Sequence, residues 1–308
     1  MINFILIFSF FSLGLLAQRL FSLPKKLPIT LNQLVINIAI PAVILLRIPQ
    51  LQLSSELLFP IVAAWLTVTV AACCVYLLGK KLSWSKGVIG ALMMTAVLGN
   101  TSYLGFPMVK MFYGEALLPY AIIFDQLGNF IALAVYGTLI ISLFSDNDKK
   151  PNVITIVVRV FRFPPFIALI FALFVGAGFI SKAFIPPIIT PLLSWFALAM
   201  VPLTMFIVGL QFQLQLDPHY RKPLMLGLTI KMLITPLVIL LVAWLAPVAS
   251  DIAKVSVFEA AMPPMVTAGV MAMQANLAPK LASAMVGFGL FLSFIFLPLV
   301  YWVNNLVL

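Results

Sequence analysis

The run Gly99–Pro107 places a small set of hydrogen-bonding side chains in the middle of an apolar segment. Its polar members are Asn100, Thr101 and Ser102, and the residues that interrupt a helix there are Gly99, Gly105 and Pro107. Irregular backbone at membrane depth persists only where it is buried in protein or lines a wet cavity. The run therefore predicts a broken helix whose polar residues contact a substrate or a coupling ion. The alternative is that they only satisfy backbone groups freed by the break.

A second interruption stands in the run Ala260–Gly269, where Pro263 and Pro264 are adjacent within another apolar segment. Each proline removes an N–H and clashes with the preceding helical turn. A helix that restarts after such a break presents unpaired N–H groups and a partial positive charge, which favour an anion. We predict that backbone donors around Pro263 and Pro264 bind substrate together with Asn100.

Ionisable and amide side chains occur elsewhere in apolar segments. A charge at the centre of a membrane costs about 2.5 kcal/mol or more, so each is a candidate for function. Candidates for binding a coupling ion or proton are Asp125, Gln126, Asn129 and Glu259. Lys231 is a candidate for attracting an anionic substrate, or alternatively extends its ammonium to the membrane surface. For Asp125 and Glu259 the alternative is a wetted position near the membrane surface.

The composition defines the class of protein that must position these residues. The 308 residues are 64% apolar and 8% charged, with a mean hydropathy of +1.19, whereas soluble domains carry about a quarter charged residues. The apolar runs are too long for the strands of a membrane barrel, which have about 10 residues. We predict an all-α polytopic membrane protein with ten spans near residues 2–18, 29–47, 57–79, 87–111, 117–144, 164–180, 187–211, 222–246, 252–274 and 280–305.

The basic residues predict the orientation of these spans. Of the 18 Lys and Arg residues, thirteen fall in odd-numbered loops and four in or beside even-numbered loops. By the positive-inside rule the odd loops are cytoplasmic, so both termini face the outer side of the cell's inner (plasma) membrane. The +10 net charge is thus an orientation signal, and no nucleic-acid partner is expected. The longest loop, 145–163, contains the segment Val153–Phe161, either a basic interfacial helix or a solvated loop.

This loop divides the chain into a first five-helix half (1–144), a cytoplasmic linker (145–163) and a second five-helix half (164–308). Because five is odd, the second half must insert upside down relative to the first. Pro41 and Pro202 stand at mid-depth in spans 2 and 7, 161 residues apart. The same offset places the partner of Asn100 near residue 261, beside the second interruption. Interrupted spans at corresponding positions of two inverted halves indicate a transporter site at the bilayer midplane.

Signatures of enzymes and metal sites are missing from the sequence. It contains no phosphate-binding GxxxxGK[ST] run and no HExxH, and its single histidine, His219, has no neighbouring cysteine or carboxylate spacing. We therefore expect no catalysis, no metal and no cofactor, with H⁺ or Na⁺ as possible coupling ions.

The run Gly-Asn-Thr-Ser-Tyr-Leu-Gly-Phe-Pro at 99–107, the pair Asp125-Gln126 and the break Met262-Pro263-Pro264 resemble the bacterial branch of the auxin efflux carrier family, which includes malonate/malate permease-like proteins. The resemblance implies two inverted repeats with crossing spans 4 and 9. It also implies a scaffold domain of spans 1, 2, 6 and 7, a transport domain of spans 3–5 and 8–10, an elevator-like movement and a homodimer. Bile-acid/sodium symporters share that fold, but Pro263 stands where their second Na⁺-binding side chain would be.

These observations predict a secondary active or facilitative transporter in the lipid bilayer that moves a small organic anion. Candidate substrates are malonate, malate or an auxin-like acid. Two alternatives stay open from the sequence: an anion channel that uses the same breaks as a filter, and a membrane sensor that binds a carboxylate without transporting it.

Overall fold

The structure is a computed structural model that describes residues 2–21, 23–24, 26–51, 54–145, 153–181, 188–215 and 217–308. Within these ranges the chain is helical and has no strands, apart from one isolated bridge between Gly99 and Pro264. Six described helices are long and apolar enough to cross a membrane: Leu27–Gln50, Ser55–Lys81, Glu115–Phe144, Ile189–Gln211, Pro218–Leu245 and Pro279–Val307. The prediction of an all-helical, multi-pass membrane protein is confirmed at this level.

The other predicted spans correspond to shorter or interrupted helices. Two are Ile2–Leu20 and Pro164–Gly176. The first broken segment (86–112) consists of the helix Lys86–Thr95, an irregular stretch, the π-turn Thr101–Gly105 and the helix Phe106–Phe112. The second broken segment (250–274) consists of the helices Ser250–Ala260 and Val266–Gln274. The count of ten membrane crossings therefore stays a prediction.

The predicted linker helix is present, with bounds Val153–Phe161. The ring of Phe163, just after it, stacks on Phe130 with 3.7 Å between ring centroids. The charged residues Asp146, Asp148, Lys149 and Lys150 of the same linker lie outside the described residues, as do Lys25 and Lys182.

Three π-turns each precede a proline by two residues: Val35–Ala39 before Pro41, Thr101–Gly105 before Pro107, and Ile230–Ile234 before Pro236. A proline lacks the N–H that a regular helix would use, and a wider turn rearranges the carbonyls around that position. Pro202 instead lies inside the continuous helix Ile189–Gln211. There the hydroxyl of Thr204 donates to Met200 O at 2.8 Å and Val201 O at 3.1 Å.

The helices pack as two groups. The smaller helix group comprises Ile2–Leu20, Leu27–Gln50, Pro164–Gly176 and Ile189–Gln211, and its most extensive contact joins the first of these helices to the last. The larger helix group comprises Ser55–Lys81, both broken segments, Glu115–Phe144, Pro218–Leu245 and Pro279–Val307, which contact one another throughout. Contacts between the two groups are fewer.

An ion cluster joins the two groups at one end. Arg47, from the smaller helix group, pairs with the Glu115 carboxylate at 2.7 Å, and Lys110 of the first broken segment pairs with the other oxygen of that carboxylate. The three charges are only partly exposed, so solvent screens them incompletely.

Candidate functional site

The two broken segments cross at their irregular stretches. The N–H of Asn100 donates to Pro263 O at 2.8 Å, and the N–H of Met265 donates to Leu98 O at 2.9 Å. These bonds pair Gly99 with Pro264 in the antiparallel sense. Because Pro263 and Pro264 have no N–H, the next backbone donor of the second broken segment is the N–H of Met265. Its hydrogen bond to Leu98 O satisfies this donor. Each broken segment thus supplies a backbone hydrogen-bond acceptor to the other.

A cavity of about 110 Å³ lies beside the crossing, between the two helix groups. The smaller helix group contributes Asn32, Ile36, Ile40, Val208 and Gln211. The larger helix group contributes Asn100, Ser102, Tyr103, Asp125, Gln126, Phe130, Leu133, Met265, Val266 and Thr267, and Phe163 closes one side. Amides, hydroxyls and apolar side chains thus share the lining, and no Lys or Arg of the described chain is part of it.

The positive end of a helix faces this cavity. Val266 and Thr267, both lining residues, begin the helix Val266–Gln274, whose first turn carries no acidic residue and no side-chain cap. N–H groups in a first turn have no partner within their helix and carry partial positive charge. Beside them lies Asn100, only 2% exposed, whose side-chain Nδ2 has no hydrogen-bond partner among the described residues. Unpartnered neutral donors are therefore among the groups of the lining residues, together with one unpartnered acceptor, Gln126 Oε1.

Asp125 also reaches the cavity, but its carboxylate is already engaged. The hydroxyls of Thr101 and Ser102 donate to its two oxygens, the latter at 2.6 Å, and Gln126 Nε2 donates at 2.6 Å. Asn129 Nδ2 extends the network to Thr101 Oγ1 at 2.9 Å and to Gly99 O at 2.8 Å. The carboxylate is fully buried and accepts three hydrogen bonds. Its main visible role is therefore to fix the conformation of the irregular stretch of the first broken segment, here called the first break, as the one in the second broken segment is called the second break.

Lys231 and Glu259 do not line the cavity. Lys231 is 1% exposed, and its Nζ donates to Ala260 O at 3.3 Å, at the carboxyl end of the helix Ser250–Ala260. An ammonium is favoured there, because the free carbonyls of a helix end carry partial negative charge. A side chain at Gly99 would have to displace Lys231, because its Cβ would stand 2.9 Å from Lys231 Nζ.

Glu259 is completely buried, and neither carboxylate oxygen has a hydrogen-bond partner among the described residues. Within those residues it forms no ion pair with Lys231. A Cβ at Gly105 would stand 2.5 Å from one of its oxygens, so glycine is required there for Glu259 to lie in this position. A buried charge without a partner is costly, which makes Glu259 a candidate for holding a proton or a small cation.

The predicted site residues thus separate into two sets. Asn100, Ser102, Asp125 and Gln126 line the cavity, whereas Thr101, Asn129, Lys231, Glu259, Pro263 and Pro264 do not. Thr101 and Asn129 lie behind it in the Asp125 network, and Pro263 and Pro264 form the crossing itself. Of the helix-breaking residues, Gly99 and Gly105 contact Lys231 and Glu259, and Pro107 is buried in the helix Phe106–Phe112.

Sequence reasoning missed several lining residues, among them Asn32, Tyr103, Gln211 and Thr267. The hydroxyl of Tyr103 donates to Asn32 O at 3.4 Å, a direct contact between the two helix groups. The available signal was a polar side chain in an apolar helix. It pointed equally to Gln33 and Asn37, which share a helix face but are exposed on the outside of the molecule.

Comparison with known proteins places the chain among transporters. Residues 1–301 match the model of a family described as membrane transport proteins. An uncharacterized transporter of Methanothermobacter thermautotrophicus is 27% identical over 289 residues, which cover 93% of this chain and 92% of that protein. An uncharacterized transporter of Methanocaldococcus jannaschii is 33% identical over 187 residues, 58% of each chain.

Proposed function

Because this chain belongs to the membrane transport protein family, the auxin efflux carrier family that its motifs resemble, we propose that it carries a small organic anion across a cell membrane. The observation that carries this proposal is the cavity at the crossing. It combines the open amino end of the helix Val266–Gln274 with the unpartnered amide of Asn100. These are fixed, neutral donors, which suit a single carboxylate.

In the proposed complex the carboxylate lies against the first-turn N–H groups of Val266 and Thr267 and accepts a further bond from Asn100 Nδ2. The apolar part of the substrate packs against Ile36, Ile40 and similar side chains of the smaller helix group. A dicarboxylate or tricarboxylate would bring more negative charge beside Asp125 into a cavity whose described lining contains no cationic side chain. The proposed substrate is therefore a monocarboxylate, ahead of malonate, malate or citrate.

The movement we propose is elevator-like alternating access. The larger helix group would carry the crossing past the smaller helix group, which acts as the scaffold. Two features support this: the cavity lies between the groups, and contacts within each group outnumber those between them. Ten spans in two inverted five-helix repeats, a homodimer, and an inner-membrane location with both termini outside complete the proposal.

The same geometry supports a proposal for the coupling site. Of the four candidate residues, Asp125, Gln126 and Asn129 already bond to one another or to the first break. Glu259 has two free buried oxygens beside the crossing and an ammonium, Lys231, in the same interior. We therefore place a coupling proton or Na⁺ at Glu259.

Uptake into proteoliposomes tests the proposal, with indole-acetate, malonate, malate and citrate compared with and without imposed H⁺ and Na⁺ gradients. We expect saturable uptake of the monocarboxylate. Losing one hydrogen bond to a charged group costs about 1.5–3 kcal/mol, so Asn100→Ala should raise the half-saturating concentration about ten- to hundredfold. Asn305→Ala, which removes an exposed amide that donates to Tyr301 O of its own helix, is the matched control.

Three results would contradict parts of this proposal separately. Absence of saturable uptake for every carboxylate would remove the anion assignment. Unitary currents with flux that never saturates would favour a channel over a carrier. If Glu259→Gln leaves gradient-driven accumulation unchanged, the coupling site is not Glu259, although the carrier function stands.

A further inference from the structure

A second cavity, of about 550 Å³, opens on the surface of the larger helix group, where the apolar helix Ser55–Lys81 ends. Its lining includes the side chains of Lys80 and Lys86, the hydroxyl of Ser83, and the rings of Tyr76 and Trp84. Ile89 and Phe144 form an apolar part of the wall. This cavity is separate from the one at the crossing and plays no part in the proposed transport.

Among the described residues, the charge around this cavity is positive. Residues 57–114 contain no Asp or Glu, yet Lys80, Lys81 and Lys86 fall within seven consecutive positions. All three are exposed, and none forms an ion pair with a carboxylate in the part of the chain that the structure describes. Two of them, Lys80 and Lys86, border the cavity directly, so an anion placed there meets two ammonium groups and a hydroxyl donor.

The turn between the two helices holds these groups in place. Ser83 adopts a left-handed backbone with φ 52°, and the N–H of Trp84 donates to Gly79 O at 2.9 Å. The Trp84 ring then lies against Gly79, since a Cβ there would stand 3.6 Å from the ring. The Nζ of Lys80 lies 5.7 Å from the centre of the Tyr76 ring, a cation–π distance.

The position of the cavity identifies the kind of anion. It lies at the last turn of a membrane-length helix, where Leu77, 67% exposed, faces outward one turn earlier. Aromatic rings and lysines at such a boundary are typical of contacts with lipid headgroups. Basic pockets between membrane helices bind acidic headgroups, with about 1 kcal/mol for each lysine near the surface.

We propose that this cavity binds the phosphodiester headgroup of an anionic phospholipid, with Lys80, Lys86 and Ser83 on the phosphate and the acyl chains lying along Leu77. Trp84 and Tyr76 would border the glycerol region. The occupant is thus a membrane lipid rather than a soluble phosphate, because the outward apolar surface continues directly from the basic rim.

Trp84 provides a direct test. The full-length protein is reconstituted into vesicles that contain brominated phosphatidylglycerol or brominated phosphatidylcholine at equal mole fraction, and tryptophan quenching is measured. We expect stronger quenching by the anionic lipid, and we expect Trp84→Phe to remove that excess. Replacing both lysines, as Lys80→Gln with Lys86→Gln, should lower the preference about fivefold for each lysine.

The matched control is Arg221→Gln with Lys222→Gln, which removes the same charge from two exposed residues outside the cavity. This control should keep the preference for the anionic lipid. Equal quenching by the two lipids in the unchanged protein would overturn the proposal, as would an unchanged preference in the Lys80/Lys86 variant. Release of the quenching by glycerol phosphate would identify a soluble-anion site instead. The readout does not involve transport, so it is independent of the function proposed above.

Discussion

At the first break the chain keeps its backbone donors and surrounds them with polar side chains, whereas at the second break two prolines remove the donors. The first break places Thr101 and Ser102 on the carboxylate of Asp125, and Asn129 on Gly99 O. The second break has only apolar side chains from Ala260 to Val266, and its Pro263 O accepts from Asn100 N–H. Both are almost completely buried.

The difference shows that the two breaks of one crossing are stabilised in different ways. A polar network fixes the first break, while two amide atoms of lining residues, Asn100 Nδ2 and Gln126 Oε1, have no partner among the described residues. The prolines let the second break pass through the interior without adding donors that need partners, and the helix after it starts with free N–H groups at the cavity. The first break therefore depends on side-chain hydrogen bonds, and the second on the absence of an N–H.

Removing the carboxylate should have the largest effect and should disrupt the first break selectively. Asp125→Ala leaves the hydroxyls of Thr101 and Ser102 and the Gln126 amide without their acceptor, all in a buried site. An unsatisfied buried donor costs about 1–3 kcal/mol, and this variant leaves three of them. We expect a large fall in the apparent Tm in detergent, measured by tryptophan fluorescence.

Two variants sharpen that result. Asp125→Asn preserves the shape and one acceptor oxygen, so it should destabilise the protein less than Asp125→Ala. Glu56→Ala removes an exposed carboxylate and should change the stability by no more than about 0.5 kcal/mol. An apparent Tm for Asp125→Ala equal to that of Glu56→Ala would show that the network does not hold the first break.

A smaller effect is expected at the second break, from Pro264→Ala. The new N–H would point where the Pro264 ring now packs against Gly289, and we expect it to find no acceptor there. An unsatisfied buried donor costs about 1–3 kcal/mol. Pro298→Ala is the control with the opposite expectation, because Pro298 lies inside the helix Pro279–Val307, where an added N–H restores a helical hydrogen bond. In thermal unfolding measurements in detergent, Pro264→Ala should lower the apparent Tm and Pro298→Ala should not.

The breaks themselves were predictable because their signals are local. Glycine, proline and polar residues in an apolar run disrupt a helix wherever the run folds, so Gly99–Pro107 and Pro263-Pro264 could be located directly. The 161-residue offset pointed to the neighbourhood of residue 261, where the second break lies, and the N–H of Asn100 bonds to Pro263 O there. The inverted repeat that suggested this offset stays a prediction.

The cavity lining was much less predictable. Adjacent residues on a helix differ by about 100° in direction, so choosing between Asn32 and Gln33 requires the rotation of the helix. A membrane helix is apolar all round and gives no amphipathic signal for that rotation. For the same reason the sequence could not separate Asp125, which lines the cavity, from Lys231 and Glu259, which do not.

The smallest effect is expected where the first break contacts the second without a hydrogen bond, at Gly105. In Gly105→Ala the new Cβ would stand 2.5 Å and 2.7 Å from the two Glu259 oxygens, so the carboxylate must move. Because that carboxylate is the end of a flexible side chain, the cost should be about 1 kcal/mol, at the low end of overpacking. Gly137→Ala, whose nearest contact is 3.4 Å away, should leave the apparent Tm unchanged. The double variant Gly105→Ala with Glu259→Ala should recover the lost stability, because it lacks the carboxylate with which the new Cβ clashes. If Gly105→Ala alone matches Gly137→Ala, the Glu259 carboxylate does not rest against the first break, and the comparison of the two breaks reduces to their backbone pairing.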